Sequence, residues 1–100
     1  MSLNLGRYQF EGPLESINQI NDSEGIFAVV CIFNDRPVRL VHLEEGANVK
    51  SKLRNHINSC EWAKQCKGRL VFGIKYTPNL QKQGRNMIVN EIKNELNTIP

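Results

Sequence analysis

The chain has 100 residues, 40% of them apolar and 23% charged, enough for one compact domain with one core and too few for two. Thirteen Lys and Arg against ten Asp and Glu leave a formal charge of +3, which permits an anionic partner without requiring one. The longest unbroken apolar run, Ile26 to Phe33, falls far short of the roughly 20 residues of a bilayer span, and the N-terminus shows no secretion-signal pattern and no acyl-acceptor glycine, so a cytoplasmic domain without a membrane segment is expected.

In chain order, "GPLESINQI" places Leu14, Ile17 and Ile20 three apart after Pro13, which predicts one short helix with a narrow apolar stripe, broken by "NDSEG". Ile26 to Phe33 is rich in β-branched and aromatic residues and reads as the sheet's central strand, buried on both faces. Asn34-Asp35-Arg36-Pro37 is turn chemistry. Val38 to Leu43 then completes a hairpin, with Val38, Leu40 and His42 expected on one face and Arg39, Val41 and Leu43 on the other, before "EEGA" ends it.

Asn48 suits an N-cap, and Val49, Leu53 and Ile57 make an i,i+4 core stripe on a helix to about Ser59, with Lys52 and His56 in a parallel row beside it. "CEWAKQC" around Trp62 predicts a second short helical turn closed by Lys67-Gly68, followed by a third strand over Arg69 to Tyr76 and a "TPN" turn. Ile88, Ile92 and Leu96 stripe a closing helix from Leu80 to Leu96 that Gly84 weakens at its start, with Glu91 at the stripe's edge. The expected fold is α+β: a single domain over residues 1–100, in the order α-β-β-α-(α)-β-α, with a small three-stranded, mainly antiparallel sheet flanked by helices.

Cys31, Cys60 and Cys66 are odd in number and lack CxxC spacing, so no disulfide framework is expected, and Cys31 reads as a small hydrophobe. His56 and Cys60 at i,i+4, with Cys66 as a third ligand, are one way to hold zinc; the plain alternative is a surface histidine near reduced thiols. Between Val49 and Arg69, Lys50, Lys52, Arg54, Lys64, Lys67 and Arg69 face only Glu61, which makes the middle of the chain its basic part, as a solvated helix face or as a phosphate-binding patch.

These residues resemble the GIY-YIG nuclease family. "EGPLESI" is similar to the family's helical prelude, Gly25-Ile26-Phe27 to its GIY tripeptide, and Leu40-Val41-His42 stands in the place of its YIG tripeptide. "NVKSKLRNH" resembles the family helix in which an arginine precedes a histidine or tyrosine by four residues, here Lys52 and His56. "KYTPN" and "EIKNELNTIP" resemble the end of its third strand and its closing helix, where a metal-binding glutamate matches Glu91 and a proline-containing end matches Pro100. The resemblance runs from about Pro13 to Pro100, with departures: the two tyrosines are Phe27 and Leu40, the arginine is Lys52, the second glycine is His42, and the loop before the helix is about two residues longer.

The resemblance implies hydrolysis of a nucleic-acid phosphodiester by water, with Mg²⁺ or Mn²⁺ on Glu91 and Lys52 neutralising the phosphate. Lys52 keeps the charge but not the planar fork of arginine. Phe27 has no proton to exchange, so a base would come from His56, His42 or Tyr76, His56 being favoured because it lies one turn from Lys52. Glu44 and Glu45 would repel a phosphate there or recruit a cation instead.

Three functions follow. A divalent-metal endonuclease requires Lys52, His56, Glu91 and Phe27 or Tyr76 to meet in one cleft, and fails if Lys52 and Glu91 point to opposite faces of the sheet. A domain with weak or lost hydrolysis would still bind nucleic acid, DNA above all, through Lys50, Lys52, Arg54, Lys64 and Lys67 with little base preference. A protein-interaction module would expose Trp62 and a strand edge; the plainer alternative is Trp62 as a core lid over the sheet.

Overall fold

A computed structural model describes residues 2–34, 36–59 and 62–95 and orders them as β1 (Ser2–Leu5), β2 (Tyr8–Leu14), β3 (Gly25–Phe33), β4 (Arg36–Gly46), α1 (Val49–Ser59), β5 (Arg69–Tyr76) and α2 (Lys82–Glu95). Short 3-10 turns cover Ile17–Gln19 and Trp62–Gln65. The α+β class holds, but the sheet has five strands, all antiparallel, in the order β1-β2-β5-β3-β4. This corrects the expected three-stranded sheet and its helix-first order.

The two additional strands have a local cause. Leu3 and Leu5 alternate, Gly6-Arg7 turns the chain with Gly6 at φ 61°, and Tyr8 and Phe10 alternate back, so Leu3 pairs with Phe10 and Leu5 with Tyr8. Where a helix was expected from Pro13, β2 runs on to Leu14 through a register irregularity between Glu11 and Leu14. Gly12 sits there at φ 141°, and a Cβ on it would lie 2.7 Å from the Phe72 carbonyl oxygen, so glycine alone fits. The spacing of Leu14, Ile17 and Ile20 serves a strand end, a 3-10 turn capped by Ser16 and a buried anchor rather than one helical stripe.

The sheet separates two apolar layers. Ile26, Ala28, Val30 and Ile32 of β3 point to one side, against Leu43, Val71 and the α2 residues Val89 and Ile92, with the β1–β2 hairpin folded onto the same side through Leu3, Leu5 and Phe10. Phe27 and Val29 point to the other, against Val49 and Leu53 of α1, Trp62, Phe72 and Ile74. Each of the larger side chains fully buried here contributes about 1.5–3 kcal/mol. The strand expected to be central, β3, is paired on both sides, with β4 and β5, although it stands fourth of five. Ile57, expected in the α1 stripe, is exposed.

Cys31 and Cys66 are joined in a disulfide that ties β3 to the segment before β5, which corrects the expectation of no disulfide and removes Cys66 from the zinc alternative. An odd count hides which two thiols the fold brings together. Closing 35 residues constrains the unfolded chain by about 4 kcal/mol on a chain-entropy model. Asp35 of the turn, Cys60 of the zinc alternative, Glu61, Leu96 and Pro100 lie outside the described residues. Among the described residues, no helix is long and apolar enough to cross a membrane.

Candidate functional site: a histidine, carboxylate and lysine cluster

The site begins with an irregularity in β4. Val29 of β3 stands opposite His42, but the next residue, Val30, stands opposite Leu40, so Val41 is an extra residue bulged between them. Leu40 packs with the α2-side layer and Val41 with the α1-side layer, and His42 joins the rings on the α1 side. The sequence expectation that Leu40 and His42 share a face, opposite Val41, is therefore corrected: strict alternation breaks at the bulge. Beyond it alternation resumes. Glu44 opposes Phe27 and points with His42 to the α1 side, while Leu43 and Glu45 point to the α2 side.

Helix α1 brings the remaining groups. Its first turn is held by Asp22, whose carboxylate accepts from the Ser51 N–H at 3.1 Å and the Ser51 hydroxyl at 2.6 Å, while the Val49 N–H donates to the Ser23 carbonyl at 3.1 Å. The carboxylate expected of a helix start thus comes from the loop before β3, and Asn48 supplies its carbonyl to the Lys52 N–H at 3.0 Å. The hydrogen bonds from Ser51 hold the Asp22 carboxyl below its ordinary pKa.

Glu44 is the hub. His42 Nε2 lies 2.8 Å and His56 Nε2 3.0 Å from its Oε1, and Lys52 Nζ lies 2.8 Å from its Oε2. Lys52 also donates to the Glu45 carbonyl at 3.1 Å, which fixes the ammonium against the strand end. Partial burial raises the Glu44 carboxyl, but hydrogen bonds from Lys52 and His42 and the charges of Lys52 and His56 outweigh it, so the group is held below its ordinary pKa. The two imidazoles lie 5.0 Å apart by ring centroids. The Trp62 indole stacks on His56 at 5.7 Å and lies 5.3 Å from His42, and Phe27 floors both at 5.8 and 6.2 Å. Trp62 is buried, a lid over the α1-side core rather than an exposed contact point.

Of the residues singled out for chemistry, Lys52, His56, His42 and Phe27 come together. Tyr76 is on the same side but on β5, beyond β3, and its hydroxyl accepts from the Asn21 N–H at 2.9 Å. Glu91 does not join them. It sits on α2, where the Tyr8 hydroxyl donates to it, and the whole sheet lies between it and Lys52. The cleft required for Lys52 and Glu91 to work together is absent among the described residues. Lys50 is half-buried, and Arg54, Lys64 and Lys67 are exposed. Sequence reasoning missed Glu44 as the common partner, while the core-lid alternative for Trp62 holds. The spacing His42-x-Glu44 on a strand was the available signal, since i and i+2 share a face.

On the opposite face the adjacent residue makes a second cluster. Arg85 is buried and donates from Nε to Glu45 Oε2 at 2.9 Å, from Nη1 to Glu24 Oε2 at 3.1 Å, and to the Leu80 carbonyl at 2.8 Å. Glu45 is also buried. Comparison of the chain with protein-family models, with curated proteins and with solved structures returns no match.

Proposed function

We propose that the domain binds the phosphate backbone of nucleic acid through the outer surface of α1, without hydrolysing it. The observation that carries this reading is the composition of α1 in place: eleven residues with Lys50, Lys52, Arg54 and His56 and no carboxylate of their own, beside Asp22, which holds the first turn through Ser51, and the strand carboxylate Glu44, already shared among three partners. Lys50 and Arg54 lie one turn apart on a row away from Glu44, and Lys67 adds an exposed cation just ahead of β5. The strand order β1-β2-β5-β3-β4 differs from the fold that the GIY-YIG resemblance implies, so this reading rests on the charge of α1 and not on that resemblance. The loss of both tyrosines and the placing of Glu91 behind the sheet speak against cleavage.

Such binding reads charge and spacing, not bases. In anisotropy titrations of labelled duplex DNA with EDTA present, affinity is expected to fall linearly with the logarithm of salt. Lys50→Ala/Arg54→Ala should reduce that slope by about 0.9 per lost contact, near 1.8 in all. No binding at low salt, or a slope the double variant leaves unchanged, overturns the reading. Plasmid nicking in Mg²⁺ or Mn²⁺ should be the same background for wild type and Glu91→Ala; nicking that wild type shows and Glu91→Ala lacks would restore the enzyme.

A further inference from the structure

We infer that His42, Glu44 and His56 form a binding site for one first-row transition-metal dication of the zinc class. The inference does not depend on nucleic-acid binding. It starts from convergence: two imidazole nitrogens on different elements aim at one carboxylate oxygen, and the three groups' ligand atoms all lie within 4.8 Å of one another. A tetrahedral ion with bonds of about 2.0–2.1 Å sets its ligands roughly 3.3–3.4 Å apart. His42 Nε2 and His56 Nε2 lie 2.8 and 3.0 Å from Glu44 Oε1, so each imidazole need part from the carboxylate by only about 0.3–0.6 Å, within a triangle of ligand atoms no wider than 4.8 Å.

The donor set chooses the metal. Two imidazoles and one carboxylate suit Zn²⁺, Co²⁺ or Ni²⁺, whereas Mg²⁺ and Ca²⁺ take all-oxygen sets. Lys52 does not compete for the coordinating oxygen: it holds Oε2 and leaves Oε1 to the ion, the part an outer partner plays in orienting a carboxylate ligand. The rings are braced as well as aimed, His56 by stacking on Trp62 and both by Phe27 beneath. Metal binding takes the tautomers that carry the proton on Nδ1, which turns both Nε2 lone pairs toward the ion. Three protein ligands leave a fourth position, for water or an exogenous ligand, on a site whose three side chains are each more than a quarter exposed.

Trp62, the chain's single tryptophan, reports on the site directly. The test uses untagged protein carrying Cys60→Ser, to remove a competing thiol, at neutral pH without reductant. Co²⁺ and Ni²⁺ should quench Trp62 with one-to-one stoichiometry, and Zn²⁺ should bind with the same stoichiometry by calorimetry and displace them. His42→Gln, His56→Gln and Glu44→Gln should each weaken Zn²⁺ by at least about tenfold while keeping the far-ultraviolet spectrum in EDTA. The Nε2 resonances of both His42 and His56 should move on Zn²⁺ addition in the protein without ligand substitutions, a readout that needs no ligand variant to fold. Failure of either imidazole to shift, or Zn²⁺ affinity unchanged in His42→Gln/His56→Gln, overturns the inference.

Discussion

Glu44 and Glu45 are neighbours in sequence and opposites in structure. Glu44 faces α1, part-exposed, and shares its two oxygens among two imidazoles and an ammonium. Glu45 faces α2, buried, and is held by the planar fork of Arg85, which also reaches Glu24 and the Leu80 carbonyl. The pair shows how one residue type becomes a ligand or a brace. Solvent lets partners exchange around Glu44, whereas burial commits Glu45 to Arg85, whose Nε donates to its Oε2.

The largest effect should come from breaking the brace. Arg85→Ala leaves Glu45 buried without its cation and is expected to cost about 3–5 kcal/mol, a large share of the 5–15 kcal/mol of a typical domain. At about 4–8 °C per kcal/mol for a chain of this size, thermal melting would show it plainly. The comparison sharpens with Arg85→Met/Glu45→Leu, which removes both charges and should recover most of the loss. A double variant as unstable as Arg85→Ala would show that the Glu24 and Leu80 contacts, not the Glu45 pair, carry the effect.

Glu44→Gln should behave differently. Part-exposed ion pairs contribute about 0–1 kcal/mol, so the melting temperature should move by a few degrees at most, while transition-metal affinity falls by at least about tenfold. Glu45→Gln should reverse the pattern, with a clear loss of stability and metal affinity within a few fold of wild type. Equal stability losses at the two positions would erase the distinction between ligand and brace.

How far the sequence foretold this varies by element. Regions with a single dominant period were legible: the apolar run of β3, the Val49 and Leu53 stripe of α1, the eight residues of β5 and the Ile88 and Ile92 spacing of α2. The β1–β2 hairpin was legible too, in the alternation of Leu3, Leu5, Tyr8 and Phe10 around Gly6. The three-residue spacing after Pro13, by contrast, fits a helix and a strand-turn-anchor equally. Lys52 and His56 could be paired from helical spacing alone.

Their meeting with His42 could not be read, because the Val41 bulge flips the parity of β4, and one inserted residue leaves no mark in composition. Nor could the side of the sheet taken by α2, which decides that Glu91 meets Tyr8 and not Lys52. That choice rests on tertiary packing, Val89 and Ile92 against Ile26, Ala28 and Leu43.

The smallest expected effect lies at the entrance to α1, on the Glu44 side of the sheet. Asp22 is fully exposed and holds the first turn through Ser51, with its carboxyl drawn below the ordinary value. A carboxyl depressed on folding favours the folded state at pH above its unfolded value, about 3.9, and that contribution disappears as the pH falls through the lowered folded value. Asp22→Asn keeps one acceptor but loses the charge at the helix N-terminus. Its melting temperature should therefore lie slightly below wild type at neutral pH, with the gap closing in acid. High salt should narrow the neutral-pH gap, since the carboxylate faces solvent. A gap that ignores both pH and salt would mean that Asp22 acts by shape alone, and that the start of α1, from which Lys52 and His56 are aimed at Glu44, owes nothing to charge.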